Sequence, residues 1–205
     1  MWGKISMKKI IITLVAILIP GTSTVFAAKF NDTAGHWAEK VVDEMATKGI
    51  LNGFEDGSFK PNDSVTREQF AKILVESLSI EEKSNNIKFQ DVEDGRWSKD
   101  YIERASKYLT IGKTNDGRRY FMPTENAIRE EIVTAVVKAS GLENEIPNYD
   151  LLKQFSDEDK ISNDFRKYIA IAVENGIMKG KGGYFDPQGN LTRAEASQLI
   201  YNVSI

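Results

Sequence analysis

Cysteine is absent from this 205-residue chain, and histidine occurs once, as His36. Without cysteine there is no disulfide scaffold and no thiolate metal site. His36 stands directly before Trp37, with no Ser-His-Asp arrangement around it and no carboxylate pair recurring with a base, so acid–base and nucleophilic catalysis have nothing to work with. The expectation is a protein that is not an enzyme and needs no cofactor. Asn52-Gly53-Phe54-Glu55-Asp56-Gly57 has the outline of a calcium loop, but Phe54 occupies a position that must supply oxygen. Long apolar runs are scarce too: the stretch from Ile10 to Ile19, interrupted only by Thr13, falls short of the roughly 20 residues needed to span a bilayer.

That short run has the form of an export signal. Lys8 and Lys9 precede it, Pro20-Gly21 breaks it, and Val25-Phe26-Ala27 offers small residues for cleavage. Residues 1–27 are therefore expected to be removed, leaving an exported chain with no membrane attachment; Met7 is the better-placed start, because Met7-Lys8-Lys9 makes the stronger basic region. Loss of Lys4, Lys8 and Lys9 takes the formal charge from −3 to −6. A mildly acidic chain is a poor nucleic-acid binder, which needs a clustered basic face. Any anionic partner must be met by local arginines.

What the chain does contain is one pattern written three times. Phe30-Asn31-Asp32, Phe89-Gln90-Asp91 and Phe155-Ser156-Asp157 each open a segment that later reaches an Arg-led helix start: Thr66-Arg67-Glu68-Gln69, Ile128-Arg129-Glu130-Glu131 and Thr192-Arg193-Ala194-Glu195. The arginines are 62 and 64 residues apart, which defines a repeated unit of about 60 residues. Units of that size are marginal alone, so three sharing one core is the expected arrangement. The units fall at about 29–80, 88–142 and 154–205, with polar linkers at 81–87 and 143–153.

Each unit reads as helix, loop, helix. Trp37, Val41, Val42, Met45 and Ala46 share one helical face, as do Tyr101, Ile102 and Ala105, and then Tyr168, Ile169 and Ala172. The second helices repeat the habit with Phe70, Ile73 and Leu74, with Ile132, Val133 and Val136, and with Ala196, Leu199 and Ile200. Between them, Asp56-Gly57, Asp116-Gly117 and Gly182-Gly183 predict short hairpin-like excursions ending at Pro61, Pro123 and Pro187. The fold class is mainly all-α.

Thr66 with Gln69, and Thr192 with Glu195, fit the capping box. An arginine in a helix's first turn opposes the macrodipole. Three such arginines point either to an anion held between the helix start and the guanidinium or to ion pairs with Asp32, Asp91 and Asp157. Those aspartates serve either as loop caps or as acceptors for a sugar hydroxyl. Trp37 and Trp97 are either core or platforms for the apolar face of a sugar ring.

The repeats resemble S-layer homology motifs over roughly residues 29–205. Unit 1 carries Phe30-x-Asp32, Trp37, Gly49-Ile50, Gly53, Asp56-Gly57-Ser58-Phe59-Lys60-Pro61-Asn62 and Val65-Thr66-Arg67-Glu68-Gln69-Phe70, and unit 3 ends in Leu191-Thr192-Arg193-Ala194-Glu195. The resemblance implies a pseudo-three-fold assembly whose inter-motif grooves bind a pyruvylated secondary cell wall polysaccharide, at the cell wall or surface of a bacterium. It implies that Arg67, Arg129 and Arg193 bind the pyruvyl carboxylate. Asp32, Asp91, Asp157, Trp37 and Trp97 would hold the ring, Gly53 would let backbone amides approach, and Gln69, Glu131 and Glu195 would complete the binding set. The alternative is a structural or self-assembling envelope protein that uses the repeats for protein–protein contacts.

The units are not equal. Unit 2 has Ile128 in place of Thr and an altered loop from Lys113 to Arg119; in unit 3, counting back from Gly176 puts Asp164 at the tryptophan position. Binding is therefore expected to lean most on Asp32, Trp37 and an exposed Arg67, with Arg193 or Arg129 supplied by a neighbouring unit. Only Ser204 and Ile205 follow Val203, so no attached cargo is expected within this chain.

Overall fold

The computed structural model describes residues 30–83 and 87–204. The export signal expected at 1–27 lies outside the described residues. The elements run α1 (Glu39–Thr47), α2 (Arg67–Ser77), α3 (Lys99–Ala105), a two-stranded antiparallel ladder β1 (Gly112–Lys113) and β2 (Arg119–Tyr120), α4 (Arg129–Ala139), two short 3-10 turns (Tyr149–Gln154 and Glu158–Lys160), α5 (Asn163–Glu174) and α6 (Arg193–Ser204). The fold is mainly α, as the helical periodicities predict: three helix–loop–helix units around one core.

The second helix of each unit lies at the centre and packs on the first helix of the next: α2 on α3, α4 on α5, and α6 back on α1. α6 also meets α2 and α4. This position explains why the second helices are buried on more than one side, with Ala71 and Val75 joining Phe70 and Leu74 in α2, and Ala135 joining Ile132 and Val136 in α4. α1, on the outside, buries only Val41, Val42 and Met45.

Backbone hydrogen bonds close the ring. Val65 N–H donates to the Leu191 carbonyl at 2.9 Å, Ala127 N–H to Val65 at 2.9 Å, and Leu191 N–H to Ala127 at 3.0 Å. Just beyond this triad, the first N–H of each second helix reaches a carbonyl in another unit: Arg67 to Glu125 at 2.9 Å, Arg129 to Gly189 at 2.9 Å, and Arg193 to Asp63 at 2.8 Å. The next N–H groups, from Glu68, Glu130 and Ala194, go to Pro123, Pro187 and Pro61. N-terminal helix donors have no partner inside their own helix; here the neighbouring unit supplies one.

The seams differ in chemistry. Glu68 accepts from Arg96 Nε at 2.8 Å and from the Ser98 hydroxyl at 2.5 Å, and Glu130 accepts from the Ser162 hydroxyl at 2.7 Å and from Gln188. At the α6–α1 seam the corresponding residues, Ala194 and Ala38, are simply buried, and Tyr201 donates to Glu44 at 2.6 Å.

The loops are hairpin-like, as their turn dipeptides predict, and Gly57, Gly117 and Gly183 take the positive φ those turns require. Each ends in a Phe-x-Pro step whose Phe packs on the Phe of the unit's own Phe-x-Asp: Phe30 on Phe59, Phe89 on Phe121, and Phe155 on Phe185. The middle residues, Lys60, Met122 and Asp186, have φ of 56°, 59° and 57°. Non-glycine residues hold that conformation only where surrounding bonds impose it. The linker expected at 143–153 is partly ordered into the Tyr149–Gln154 turn, which buries Leu152 and packs on α5.

Candidate ligand-binding grooves

What imposes the strained step is the aspartate of each Phe-x-Asp. Asp32 accepts from the Phe59 and Lys60 amides, both at 2.7 Å; Asp91 from Phe121 and Met122 at 2.9 and 2.6 Å; and Asp157 from Phe185 and Asp186 at 2.8 and 2.9 Å. Of the two readings open for these aspartates, the geometry gives the loop cap: both carboxylate oxygens are engaged with backbone.

The arginines are also engaged, and they are not exposed. Arg67, Arg129 and Arg193 retain 3%, 7% and 7% of their accessible surface. Arg67 donates through Nε to the Phe121 carbonyl at 2.8 Å, to the Thr110 carbonyl, and to Glu131 at 2.5 Å. Arg129 pairs with Glu195 at 2.7 Å and sets a second nitrogen 3.9 Å from the Met178 sulfur, while its Nε has no protein partner. Arg193 donates to the Phe59 carbonyl at 2.7 Å and the Asn52 carbonyl at 3.2 Å. Each arginine thus crosses into another unit, and the ion pairs expected with Asp32, Asp91 and Asp157 do not form. At the helix starts, where an anion is one expected occupant, neighbouring carbonyls take the first two N–H groups.

Gln69, Glu131 and Glu195 occupy one repeated position, two residues after each arginine. Gln69 completes the capping box with Thr66. Glu195 accepts from the Thr192 amide at 2.9 Å and from Arg129. Its burial tends to raise the carboxyl pKa, but Arg129 and Thr192 hold it below the ordinary glutamate value. Ile128 provides no side-chain cap, and Glu131 goes to Arg67 alone. So two of the three arginines have a carboxylate partner, while Arg193 faces an amide position. Burial lowers the Arg193 pKa, with Asp63 and Asp32 acting in the opposite sense.

Trp37 and Trp97 are 60% and 56% exposed, too open for core residues, and each lines a cavity between units. One, of about 240 Å³, is formed by the unit 1 loop at Ile50–Phe54, by Gln69, Lys72 and Ile73 of α2, by Trp97 of unit 2 and by Arg193 of unit 3. The other, of about 630 Å³, combines the unit 3 loop at Gly176–Lys181, Glu195 and Gln198 of α6, Trp37 of unit 1 and Arg129 of unit 2. The construction rule is the same: loop and second helix from one unit, tryptophan from the next, arginine from the third. Of the residues on which binding is expected to lean, Trp37 shares a cavity with Arg129, one of the two neighbouring arginines expected there, while Asp32 and Arg67 line neither cavity. Trp37 meets Arg129, Arg67 meets the unit 2 loop, and Asp32 points into its own loop.

The third tryptophan position is Ile161, not Asp164. Ala38, Ser98 and Ser162 are the residues that start α1, α3 and α5, and the residues before them are Trp37, Trp97 and Ile161. Ile161 is 2% exposed. Counting from Gly176 failed because α5 is longer than α1. Gly53 lines the smaller cavity and has a packing reason as well: a Cβ there would lie 2.3 Å from Phe30 Cε1, so the glycine makes room for the aromatic pair. Lys72, Phe54, Lys179 and Lys181 line the two cavities and were not among the expected binding residues. The position five residues after each arginine, Lys72, Thr134 or Gln198, carries the missed signal.

Fold and site define a binding module built from repeated units, with inter-unit cavities each carrying a buried arginine and an exposed tryptophan. Residues 29–71 and 154–197 match the S-layer homology domain. The chain is similar to the S-layer protein EA1 of Bacillus anthracis, 31% identical over 201 residues that cover 95% of this chain and 23% of that protein. It is also similar to an amylopullulanase of Thermoanaerobacterium thermosulfurigenes, 32% identical over 85% of this chain and 9% of the enzyme, and to an uncharacterised cell wall amidase of Bacillus anthracis, 32% identical over 90% of this chain and 34% of that protein. The chain thus spans about a third or less of these relatives' lengths. Among the described residues no helix is long and apolar enough to cross a membrane, and no group of three or more His, Cys, Asp or Glu could hold a metal ion.

Proposed function

We propose that this chain is a non-catalytic anchoring module of three S-layer homology motifs, the middle one included, that binds a pyruvylated secondary cell wall polysaccharide noncovalently at the bacterial surface. The carrying observation is the pair of cavities that each present an exposed tryptophan beside a buried arginine. An aromatic face next to fixed hydrogen-bond donors suits a sugar ring with polar substituents. The middle unit, outside the two matched segments, supports the same reading because it has the same Asp-capped loop, an inter-unit arginine in Arg129 and the same place in the backbone ring. Relatives as different as a surface-layer protein and an amylopullulanase share this region with the chain, as expected of an attachment function separable from what is attached.

The test is sedimentation of the purified protein, residues 28–205, with cell walls, native and chemically stripped of polysaccharide. Pelleting with native walls and not with stripped ones is the expected result. Pelleting with both would move the function to peptidoglycan or protein contacts.

A further inference from the structure

Asparagine followed by glycine occurs twice in the chain, at Asn52-Gly53 and Asn175-Gly176. Such a step can modify itself: the glycine nitrogen attacks the asparagine side-chain carbon, and the absence of a Cβ on glycine lets the two approach. Both steps are exposed, but their surroundings differ. Asn175 is tied down, its side-chain nitrogen donating to the Ile171 carbonyl at 2.9 Å and to Glu145 at 2.8 Å. The Gly176 amide is engaged in turn by the Val173 carbonyl at 3.1 Å, and the Glu145 carboxylate opposes negative charge developing beside it.

Asn52 is held in the opposite sense. Its backbone carbonyl accepts from Arg193 at 3.2 Å. Its side chain, in the orientation that sets acceptors against donors, accepts from Lys72 Nζ at 2.8 Å and donates to the Leu51 carbonyl at 3.3 Å. Among the described residues the Gly53 amide has no hydrogen-bond acceptor. Each contact favours ring closure. Arg193 draws electrons from the peptide between residues 52 and 53 and makes its N–H more acidic, while Lys72 faces the oxygen on which negative charge appears when the glycine nitrogen attacks. Both cations also favour the ionised form of the carboxylate that results.

We propose that Asn52-Gly53 is a self-modification site that places a carboxylate in the 240 Å³ cavity as the protein ages. The Gly53 nitrogen bonds to Asn52 Cγ and gives its proton to solvent; the bond from Cγ to the side-chain nitrogen breaks and ammonia leaves, forming a cyclic succinimide. Water then opens either ring carbonyl, giving aspartate or, with the main chain routed through the side chain, isoaspartate. Overall one water is consumed and one ammonia released, and nothing is oxidised or reduced. The product adds one negative charge beside Lys72, and the isoaspartate form lengthens the main chain by one carbon and so shifts the carbonyl that holds Arg193. The consequence for attachment rests on the anchoring reading: the new carboxylate occupies donors of the cavity, so modified molecules hold the wall less firmly.

Purified residues 28–205 are incubated folded in mildly alkaline buffer and, in parallel, unfolded in urea, and peptide mapping by mass spectrometry follows deamidation at each asparagine. In the folded protein Asn52 should be converted about tenfold or more faster than Asn175, while in urea the two should react alike. Lys72→Gln should slow the Asn52 reaction about tenfold, the effect of one charge-assisted hydrogen bond, and Lys72→Arg should restore it in part. Asn52→Gln, whose longer side chain closes a ring far less readily, should abolish modification at this position. Equal rates at Asn52 and Asn175 in the folded protein, or an Asn52 rate indifferent to Lys72→Gln, would overturn the proposal. These rates are read by mass alone, so they test the site whether or not the protein binds walls. For the consequence, modified protein is separated from unmodified by anion exchange and each is pelleted with native walls. The modified fraction should be left in the supernatant more than the unmodified, and aged Asn52→Gln should pellet as well as fresh Asn52→Gln. Equal pelleting of the two wild-type fractions would overturn the effect on attachment; absence of pelleting by fresh wild type would overturn the anchoring reading instead.

Discussion

Arg67 of α2 donates to Glu131 of α4 at 2.5 Å, across the boundary between the first two units, with the arginine 3% exposed and the glutamate side chain 18%. This makes a residue expected at a ligand surface part of the structure that joins the units. Arg67→Ala should destabilise the domain by about 3–5 kcal/mol, the range for removing one partner of a buried pair. A thermal melt followed by circular dichroism checks it. A melting point within a degree of wild type would mean that the pair is not formed in solution.

Trp37→Ala and Trp97→Ala should behave in the opposite way. Both side chains are more than half exposed, so each change should move stability by no more than about 0.5 kcal/mol. Wall binding should fall for each, measured as protein left in the supernatant after pelleting. Normal binding by the double variant would remove the tryptophans from the site.

Gly53→Ala and Gly112→Ala make a matched pair. The added Cβ at 53 would meet Phe30 Cε1 at 2.3 Å and the Ser58 carbonyl oxygen at 2.6 Å, whereas at 112 the nearest atoms are 3.6 Å away. Overpacking costs typically about 1–3 kcal/mol, so the first variant should melt early and the second near wild type. Equal melting of the two would show that the Phe30–Phe59 pair shifts freely.

The domain should lose stability in acid, in part through Glu195. Its folded-state pKa lies below the ordinary glutamate value of 4.5, so its contribution is complete above that value and disappears as pH falls through the folded pKa. Urea melts between pH 6 and 3 should show a steeper acid decline for wild type than for Glu195→Gln, which has no carboxyl to protonate at this position. Identical slopes would assign the acid limb to other carboxylates.

The helices, the hairpin turns and the three-unit plan were legible because each rests on local signals: apolar periodicity, Asp-Gly turns, capping residues. The identity of each arginine's partner was not legible. Arg67 shares its unit with Asp32 and lies closest in sequence to Asp91 among the Phe-x-Asp acids, but its partner comes from α4, because the second helices send side chains across the seams. Asp32, Asp91 and Asp157 were left with two readings, since nothing in a sequence shows that two consecutive amides of a left-handed turn will converge on one carboxylate. The third tryptophan position was misplaced onto Asp164 because counting from a loop glycine assumes equal helix lengths, and α5 has 12 residues against 9 in α1. The contrast of Gln69 with Glu131 and Glu195 was plain in the sequence; its meaning depended on which arginine faced it.

The backbone ring through Val65, Ala127 and Leu191 sets an order of events for the chain's assembly. Val65 and Leu191 are 126 positions apart, so the first unit's central bond waits for a segment synthesised and exported much later. Closing so long a loop is entropically costly and slow compared with forming the helices. Until the third unit emerges, α2 and α4 both lack the α6 surface they pack on, and the apolar faces they turn to it remain open to solvent. Emergence of the segment around Leu191 is therefore the step at which the module can become a folded domain, and with it the cavity that needs Arg193 from the third unit and Lys72 from the first.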